Sequence, residues 1–331
     1  MMKQRTGRVY CAAVRAVFLD FATLNRGDLD LSRLRAVVPQ ITLHEVTPEG
    51  RIDERIVDAE IIVTNKLRIT RERIARNASL RLIVLAATGT DNVDLEAARE
   101  RGVAVCNVRN YCTTSVMQHV LAVLLHFTHR PSEFGRLAVD GSWARSPQFT
   151  MLNYPIRELS GRILGIVGYG TLGRAVGDAA RAALGMEVRI ANRPGAPAAA
   201  DRLSLDQLLA QADVVSLHCP LTAATRNLIA ARELALMKPD SLLINTARGG
   251  LIDAAALAAA LRAGRPGAAA IDVLTQEPPV ESNPLLDPTV PNLLVTPHIA
   301  WSAFEARQRC LDQIAANVEE FLRGGSRNRV V

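Results

Sequence analysis

The stretch LGIVGYGTLGRAVG, residues 164–177, decides the fold of the second half of this chain. An apolar run, 163–167, leads into Gly168, Gly170 and Gly173, and an apolar helical pattern follows. This is G-x-G-x-x-G between a strand and a helix, where the glycines permit a tight turn, close approach of a pyrophosphate and close helix–strand packing. The start of the helix favours an anion through its free N–H groups. The motif predicts a dinucleotide-binding unit, although alone it is a weak signal.

Strand and helix patterns alternate on both sides of this motif. Before it, strands are predicted at 14–21, 41–46, 61–64, 82–87 and 103–107, with helices at 31–38, 69–78 and 93–101. From the motif onward, strands are predicted at 163–167, 187–191, 214–218, 242–245, 268–273 and 293–296. Such alternation is typical of parallel sheets covered on both faces. The sequence therefore predicts an α/β protein with two doubly wound sheets, a flavodoxin-like one and a Rossmann one.

The length of 331 residues favours two domains over a single core. The last periodic stretch, 304–325, is an amphipathic helix with no sheet of its own, so we expect it to return to the first domain. We predict a discontinuous substrate domain, 1–107 plus 299–331, and an inserted NAD(P)-binding domain, 108–298. The ligand cleft is expected at the carboxyl ends of the strands.

An apolar helix is predicted at 113–130, followed by a polar, irregular stretch that carries the isolated Trp143. Helices that are apolar on most sides are usually buried between domains or subunits. The region therefore predicts a homodimer with a two-fold interface.

Composition limits the partners. The net charge of +6 comes from scattered Lys and Arg rather than a basic run, which argues against nucleic acid. No run reaches the roughly 18 apolar residues of a membrane span. Five dispersed cysteines without a C-x-x-C pair suit a reduced, cytoplasmic protein. His119, His126 and His129 lack nearby carboxylates, so we assign them to packing or helix capping and predict no metal site.

Four chemically useful side chains follow or end predicted strands of the second series. Arg248 follows the strand at 242–245, Asp272 lies in the next strand with Glu277 in the loop after it, and His298 follows the last strand. Because neighbouring parallel strands end at the same edge of a sheet, these groups are expected to converge on one cleft.

Their chemistry suits a 2-keto or 2-hydroxy acid. Arg offers a planar fork of donors to a carboxylate. His exchanges protons near neutral pH, and a paired carboxylate fixes its tautomer and favours its charged form. With a nicotinamide, the set predicts a hydride-transfer site. Arg248 also has a simpler interpretation as a surface charge, and Glu277 as ordinary loop polarity. Cys219 beside His218 is more typical of core than of a nucleophile.

Taken together, the chain resembles the D-isomer-specific 2-hydroxyacid dehydrogenase family. The matching stretches are ATGTDNVDLEAARERGVAV, GRILGIVGYGTLGRAV, ADVVSLHCPLTAATRNLI, LMKPDSLLINTARGGLIDAAAL, AAAIDVLTQEPP and NLLVTPHIAW. Within the family, NVRNYCTTSVMQHVLAVLL, WARSPQF and PHIAW are most similar to bacterial glycerate dehydrogenases, also called hydroxypyruvate reductases. The resemblance implies reduction of small 2-keto acids such as hydroxypyruvate or glyoxylate.

The resemblance also implies roles for individual residues. The catalytic set is Arg248, Glu277 and His298. Thr88 and Gly89 resemble the backbone segment that holds the substrate carboxylate, and Trp143 resembles a tryptophan that in some members reaches into the cleft of the partner subunit. With Arg248 and Lys66, which is expected to shape the pocket, they are the predicted substrate residues. The cofactor is lined by Thr114, Gly168, Gly170, Thr171, Leu172, Gly173, Asn192, Arg193, Pro220, Thr225, Thr246, Ala247 and Asp272.

One position departs from the family pattern. Asn192 and Arg193 stand where an acidic residue usually binds the adenosine ribose, which favours NADP(H) over NAD(H). A second hypothesis, from another functional class, is a nucleotide-sensing binding protein, because corepressors resembling the same family keep the catalytic set. Turnover of a keto acid distinguishes the two.

Overall fold

A computed structural model describes residues 14–192, 199–280 and 282–331. The chain forms two compact units: the described residues up to Cys112 together with Ser302–Val331, and Thr113–Trp301. The predicted boundaries, 107/108 and 298/299, lie a few residues before these. Within the described ranges, no helix is both long and apolar enough to cross a membrane.

The first unit is built on a parallel sheet, five-stranded in the described residues. Its strands are β1 (Ala16–Phe18), β2 (Thr42–Leu43), β3 (Ile61–Thr64), β4 (Leu82–Leu85) and β5 (Ala104–Cys106), with α1 (Ser32–Val37), α2 (Ile52–Ile56), α3 (Arg71–Arg76) and α4 (Leu95–Glu100) between them. The strand order β2-β1-β3-β4-β5 is the flavodoxin-like one. Every residue of β3 and β4 is buried, as expected for a parallel sheet covered on both faces.

The second unit holds a parallel sheet of six described strands. Its elements are α5 (Thr113–His129), α6 (Pro131–Val139), β6 (Ile163–Val167), α7 (Thr171–Leu184), β7 (Glu187–Ile190), α8 (Leu205–Gln211), β8 (Val214–Leu217), α9 (Ala231–Leu236), β9 (Leu242–Asn245), α10 (Ala254–Arg262), β10 (Ala268–Ile271) and β11 (Leu293–Val295). In the order β7-β6-β8-β9-β10-β11, the chain adds β7 on one side of β6 and the later strands on the other side. The strand order therefore reverses between β6 and β8, while all strands remain parallel. In open α/β sheets, ligands bind beside such a reversal. The predicted fold class, with two parallel α/β sheets, is confirmed.

The last helix, α11 (Phe304–Leu322), belongs to the first unit and packs against α1 and β4. Near its start, the guanidinium of Arg307 donates to both oxygens of Asp28, at 2.8 and 2.7 Å, and to the carbonyl oxygen of Leu24 at 3.1 Å. The side chain of Arg307 is only 9% exposed. This pair fixes the start of α11 to the loop before α1, and it holds the pKa of Asp28 well below its usual value.

Two sequence-based expectations were wrong. The stretch after α5 begins with a helix, α6, rather than irregular chain, because Pro131 occupies the first helical position, where its missing N–H costs nothing. Asp272 lies just after β10 instead of inside it, since β10 ends at Ile271. Its carboxylate accepts hydrogen bonds from the loop after β11.

Candidate active site

The glycine loop has the geometry that its sequence predicts. Gly168 adopts φ +99°, and a Cβ there would lie 2.4 Å from the backbone nitrogen of Cys219. A Cβ on Gly173 would lie 2.2 Å from the carbonyl oxygen of Gly168, so α7 packs directly on the end of β6. A side chain on Gly168 or on Gly173 would clash with these backbone atoms.

Gly170 differs from these two, because a Cβ there would meet no atom within 4 Å among the described residues. It is the N-cap of α7, and Thr171 and Leu172 form the first helical turn. A glycine with open space beside helical N–H donors is suited to a phosphate group. At the end of β9, which β8 separates from β6 in the sheet, the buried hydroxyl oxygen of Thr246 has no hydrogen-bond partner in the described part of the chain. These features fit a dinucleotide.

At the end of β7, Asn192 takes the position of the usual acidic residue. Its backbone N–H donates to the carbonyl oxygen of Leu203 at 2.7 Å, and its side-chain oxygen accepts the N–H of Ala199 at 3.1 Å. The side chain is therefore bonded to the backbone of Ala199, the next described residue. Arg193, the other residue of the predicted specificity pair, lies outside the described residues.

Thr114, Pro220 and Thr225, which are also predicted to line the cofactor, lie in the second unit. Thr225 is buried, donates its hydroxyl to the carbonyl oxygen of Pro220 at 2.7 Å, and accepts the N–H of Thr222 at 2.8 Å. It thereby shapes the turn that follows β8. Thr114 is exposed in the first turn of α5.

Arg248 is held by a short network that follows β9. Asn245, which is fully buried, donates its side-chain N–H to the carbonyl oxygen of Arg248 at 2.9 Å and accepts the N–H of Ala247 at 3.0 Å. Nη1 of Arg248 donates to the carbonyl oxygen of Ala247 at 2.8 Å. A Cβ on Gly249 would lie 2.1 Å from the backbone of Leu274, so the Arg248 loop packs closely against the segment that leads to Glu277. The role of Asn245 was not predicted, and its only sequence signal is a polar residue at the end of an apolar strand.

Glu277 and His298 form a hydrogen-bonded pair. Nδ1 of His298 lies 2.6 Å from Oε2 of Glu277, and Oε1 accepts the N–H of Leu274 at 2.9 Å. The side chains of His298 and Glu277 are 25% and 31% exposed, so both remain accessible to a small molecule. Because Glu277 occupies Nδ1, the Nε2 edge of the ring is the one available for proton exchange.

Asp272 organises the loop that carries His298. Its carboxylate accepts the hydroxyl of Thr296 at 2.6 Å and the N–H groups of Ile299 and Ala300 at 2.9 and 3.0 Å. The N–H of His298 donates to the carbonyl oxygen of Asp272 at 2.8 Å. His298 has φ +54°, a left-handed conformation that a non-glycine residue adopts only where its surroundings hold it.

The predicted substrate residues Lys66, Thr88 and Gly89 lie in the first unit, just beyond the adjacent strands β3 and β4. The hydroxyl of Thr88 donates to the carbonyl oxygen of Val108 at 2.9 Å. The buried carboxylate of Asp20 accepts the backbone N–H groups of Asn65 and Lys66, at 2.9 and 2.7 Å. Burial raises the pKa of Asp20, and these hydrogen bonds oppose that rise. Asp20 was not predicted, and it fixes the backbone that carries Lys66.

Trp143 follows α6 and is half exposed, with Nε1 donating to the carbonyl oxygen of Phe149 at 2.9 Å. The same segment exposes several large apolar side chains. They are Val139, Phe149, Leu152 and Ile156, with exposed fractions of 90%, 91%, 81% and 53%.

His218 and Cys219, at the end of β8, are unsuited to nucleophilic catalysis. Burial raises the pKa of the Cys219 thiol, so the thiolate is disfavoured. Burial lowers the pKa of His218 to about 4, and its Nε2 lies 2.9 Å from the hydroxyl of Ser216. The backbone of this pair packs against Gly168 and so supports the glycine loop.

Comparison with known proteins gives a consistent result. Residues 121–300 match the family described as "D-isomer specific 2-hydroxyacid dehydrogenase, NAD binding domain". Glycerate dehydrogenase of Methylorubrum extorquens is 43% identical over 284 residues, which cover 86% of this chain and 89% of that protein. Hydroxypyruvate reductase of Blautia hydrogenotrophica is 37% identical over 323 residues, covering 96% and 99% of the two chains.

Solved structures agree with the sequence relatives. A crystallised protein of Thermus thermophilus superposes with a TM-score of 0.83 at 34% identity, covering 96% of this chain and all of that one. The likeness therefore extends over both compact units, each taken by itself.

Proposed function

Because the chain belongs to the D-isomer specific 2-hydroxyacid dehydrogenase family, we propose that it reduces hydroxypyruvate or glyoxylate to the corresponding 2-hydroxy acid. It is an oxidoreductase that acts on the CH–OH group of 2-hydroxy acids and uses a nicotinamide cofactor. The observation that carries the proposal is the His298–Glu277 pair. Arg248, Glu277 and His298 follow β9, β10 and β11, which are consecutive strands of one sheet. Nothing in the comparisons supports the corepressor-like alternative.

In the proposed mechanism, three side chains act on the keto acid. Arg248 binds the carboxylate with its guanidinium and polarises the carbonyl group. His298 donates a proton from Nε2 to the carbonyl oxygen, and Glu277 stabilises the imidazolium and fixes its orientation. When bound, the nicotinamide supplies the hydride for the keto carbon. Lys66, Thr88, Gly89 and Trp143 are proposed to contact the substrate.

The glycine loop and Thr246 are proposed to hold the cofactor, together with the other predicted residues of the second unit. We further propose that NADPH is preferred to NADH. The side-chain oxygen of Asn192 is already bonded to Ala199, so the group left for the ribose is an amide donor instead of a carboxylate. A donor does not repel a 2′-phosphate, and Arg193 would add a charge-assisted partner.

We also propose a homodimer in the cytoplasm. Val139, Phe149, Leu152 and Ile156 expose four large apolar side chains within residues 139–156, and such a concentration is a feature of interaction surfaces. A second copy of the chain would cover these side chains through a two-fold contact. The four described cysteines are unpaired, as is usual for proteins of a reducing compartment.

A substrate panel tests the proposed activity. Hydroxypyruvate, glyoxylate, pyruvate, phenylpyruvate and 2-ketoisocaproate are each assayed with NADPH and with NADH. We expect turnover of at least about 1 s⁻¹, with the highest kcat/KM for hydroxypyruvate or glyoxylate. Absence of turnover with all five keto acids would contradict the proposal and favour a binding protein.

The same assay with Asn192→Asp tests cofactor preference. A carboxylate at this position repels a 2′-phosphate and binds both ribose hydroxyls, so the ratio of kcat/KM for NADPH to that for NADH should fall. A wild-type enzyme that prefers NADH, with a ratio unchanged by the substitution, would show that Asn192 does not determine specificity.

A further inference from the structure

We propose that Ser115 and His119 of α5 are positioning residues for the proton donor His298. They lie four residues apart, hence on one face of the helix. The hydroxyl of Ser115 donates to the carbonyl oxygen of Ala300 at 2.7 Å, and Nε2 of His119 lies 3.5 Å from the hydroxyl oxygen of Thr296. These two contacts bracket His298 in the chain. The inference rests on the proposed role of His298.

The direction of the hydrogen bonds defines the state of His119. The hydroxyl hydrogen of Thr296 points to Oδ1 of Asp272, 2.6 Å away, because that carboxylate also accepts backbone N–H groups on both oxygens. The hydroxyl oxygen therefore has a lone pair available for His119, and we assign the ring hydrogen to Nε2, which makes a long contact of 3.5 Å with that oxygen. In this assignment His119 donates to the hydroxyl oxygen of Thr296, and the hydroxyl of Thr296 donates to the carboxylate of Asp272.

The loop is thus held from two sides. Asp272, at the end of β10, accepts the N–H groups of Ile299 and Ala300, while α5 binds the loop through Ser115 and His119. Between these anchors, His298 is kept at φ +54°. Without the anchors on α5, we expect the loop to relax and the imidazole to leave its alignment with Glu277.

This assignment accounts for two polar residues on a helix whose buried positions are otherwise apolar. Val116, Val120, Val123 and Leu124 form the buried face of α5. Ser115 is 8% exposed, and its hydroxyl donates to the carbonyl oxygen of Ala300 in the loop. Packing alone would be satisfied by Ala and Leu at these two positions.

The test uses Ser115→Ala, His119→Leu and the conservative His119→Gln, in which a side-chain N–H can replace Nε2–H. We expect Ser115→Ala and His119→Leu each to lower kcat about tenfold, as for a misaligned proton donor. KM for the keto acid and the Kd of NADPH, measured by its fluorescence, should change less than about twofold. His119→Gln should recover most of kcat. His126→Leu is the matched control, because His126 contacts the ring of Phe127 on the same helix, and its kcat should equal that of the wild type.

A double-mutant comparison separates positioning from general destabilisation. In a His298→Asn background, His119→Leu should lower the residual kcat no further, because the group that it positions is gone. A full additional tenfold loss there, or a wild-type kcat for both Ser115→Ala and His119→Leu, would overturn the inference. An active His298→Asn enzyme would instead overturn the proposed role of His298 itself, and the positioning role with it.

Discussion

His298 and Glu277 are joined by a hydrogen bond of 2.6 Å between Nδ1 and Oε2. The second oxygen of Glu277 is fixed by the N–H of Leu274, so the carboxylate holds one orientation relative to the ring. The pair follows two adjacent strands, β10 and β11, and it provides a proton donor whose charged form has a negative partner.

Glu277→Gln tests this partnership. The amide keeps a hydrogen bond but loses the charge that stabilises the imidazolium, so protonated His298 is present only at lower pH. Since reduction needs that form, the upper limb of the pH profile of kcat/KM should move to lower pH. A limb that stays in place, while His298 remains essential, would exclude Glu277 as the partner.

Arg248→Lys tests the need for a fork of donors. Lys keeps the positive charge but offers a single ammonium group, so both binding and orientation of the carboxylate should weaken. We expect kcat/KM to fall at least about tenfold, which corresponds to roughly 1.4 kcal/mol of transition-state stabilisation. A Lys variant with the kcat/KM of the wild type would remove Arg248 from its assigned role.

The apolar segment after α6 predicts the oligomeric state. We expect light scattering at micromolar concentration to give twice the chain mass of 35.8 kDa. Replacing both Phe149 and Leu152 with Ser should shift the mass toward the monomer, since each residue is more than 80% exposed in the single chain and contributes little to its packing. A wild-type protein that is monomeric under these conditions would contradict the dimer.

His218 predicts a pH dependence of stability. Its pKa is lowered from 6.5 to about 4 by burial, so the unfolded chain binds a proton in this range and the folded chain does not. The stability that His218 contributes is therefore complete above pH 6.5 and is lost as the pH falls toward 4, by up to about 1.4 kcal/mol per pH unit.

Urea unfolding of the cofactor-free protein between pH 7 and pH 4 measures this effect. In His218→Gln, the free energy of unfolding should depend less steeply on pH than in the wild type, and the comparison cancels the groups that the two proteins share. Equal slopes would show that His218 does not take up a proton on unfolding in this window.

The sequence predicts the two sheets well because buried parallel strands are short apolar runs. The bounds of β3, β6 and β9 agree with the predicted ranges. Other strands are shorter than predicted where the chain turns to a site: Thr296, for example, gives its hydroxyl to Asp272 and leaves β11. The helix α6 was missed because Pro131 marks a helix start as readily as a break.

The catalytic side chains were predictable because reactive groups directly after strands share one edge of a sheet. Their supports were not, since Asn245, Ser115 and His119 act through partners that are distant in sequence or through backbone atoms. No spacing rule connects Ser115 to Ala300. Only the folded chain reveals such pairs.

The most direct test is kcat/KM for hydroxypyruvate with NADPH, compared between the wild type and His298→Asn. Asn can form a hydrogen bond but cannot deliver a proton at neutral pH. We expect kcat/KM to fall at least about 100-fold, the usual contribution of a general acid, while the Kd of NADPH stays within about twofold. A His298→Asn enzyme with wild-type kcat/KM would contradict the account of the site.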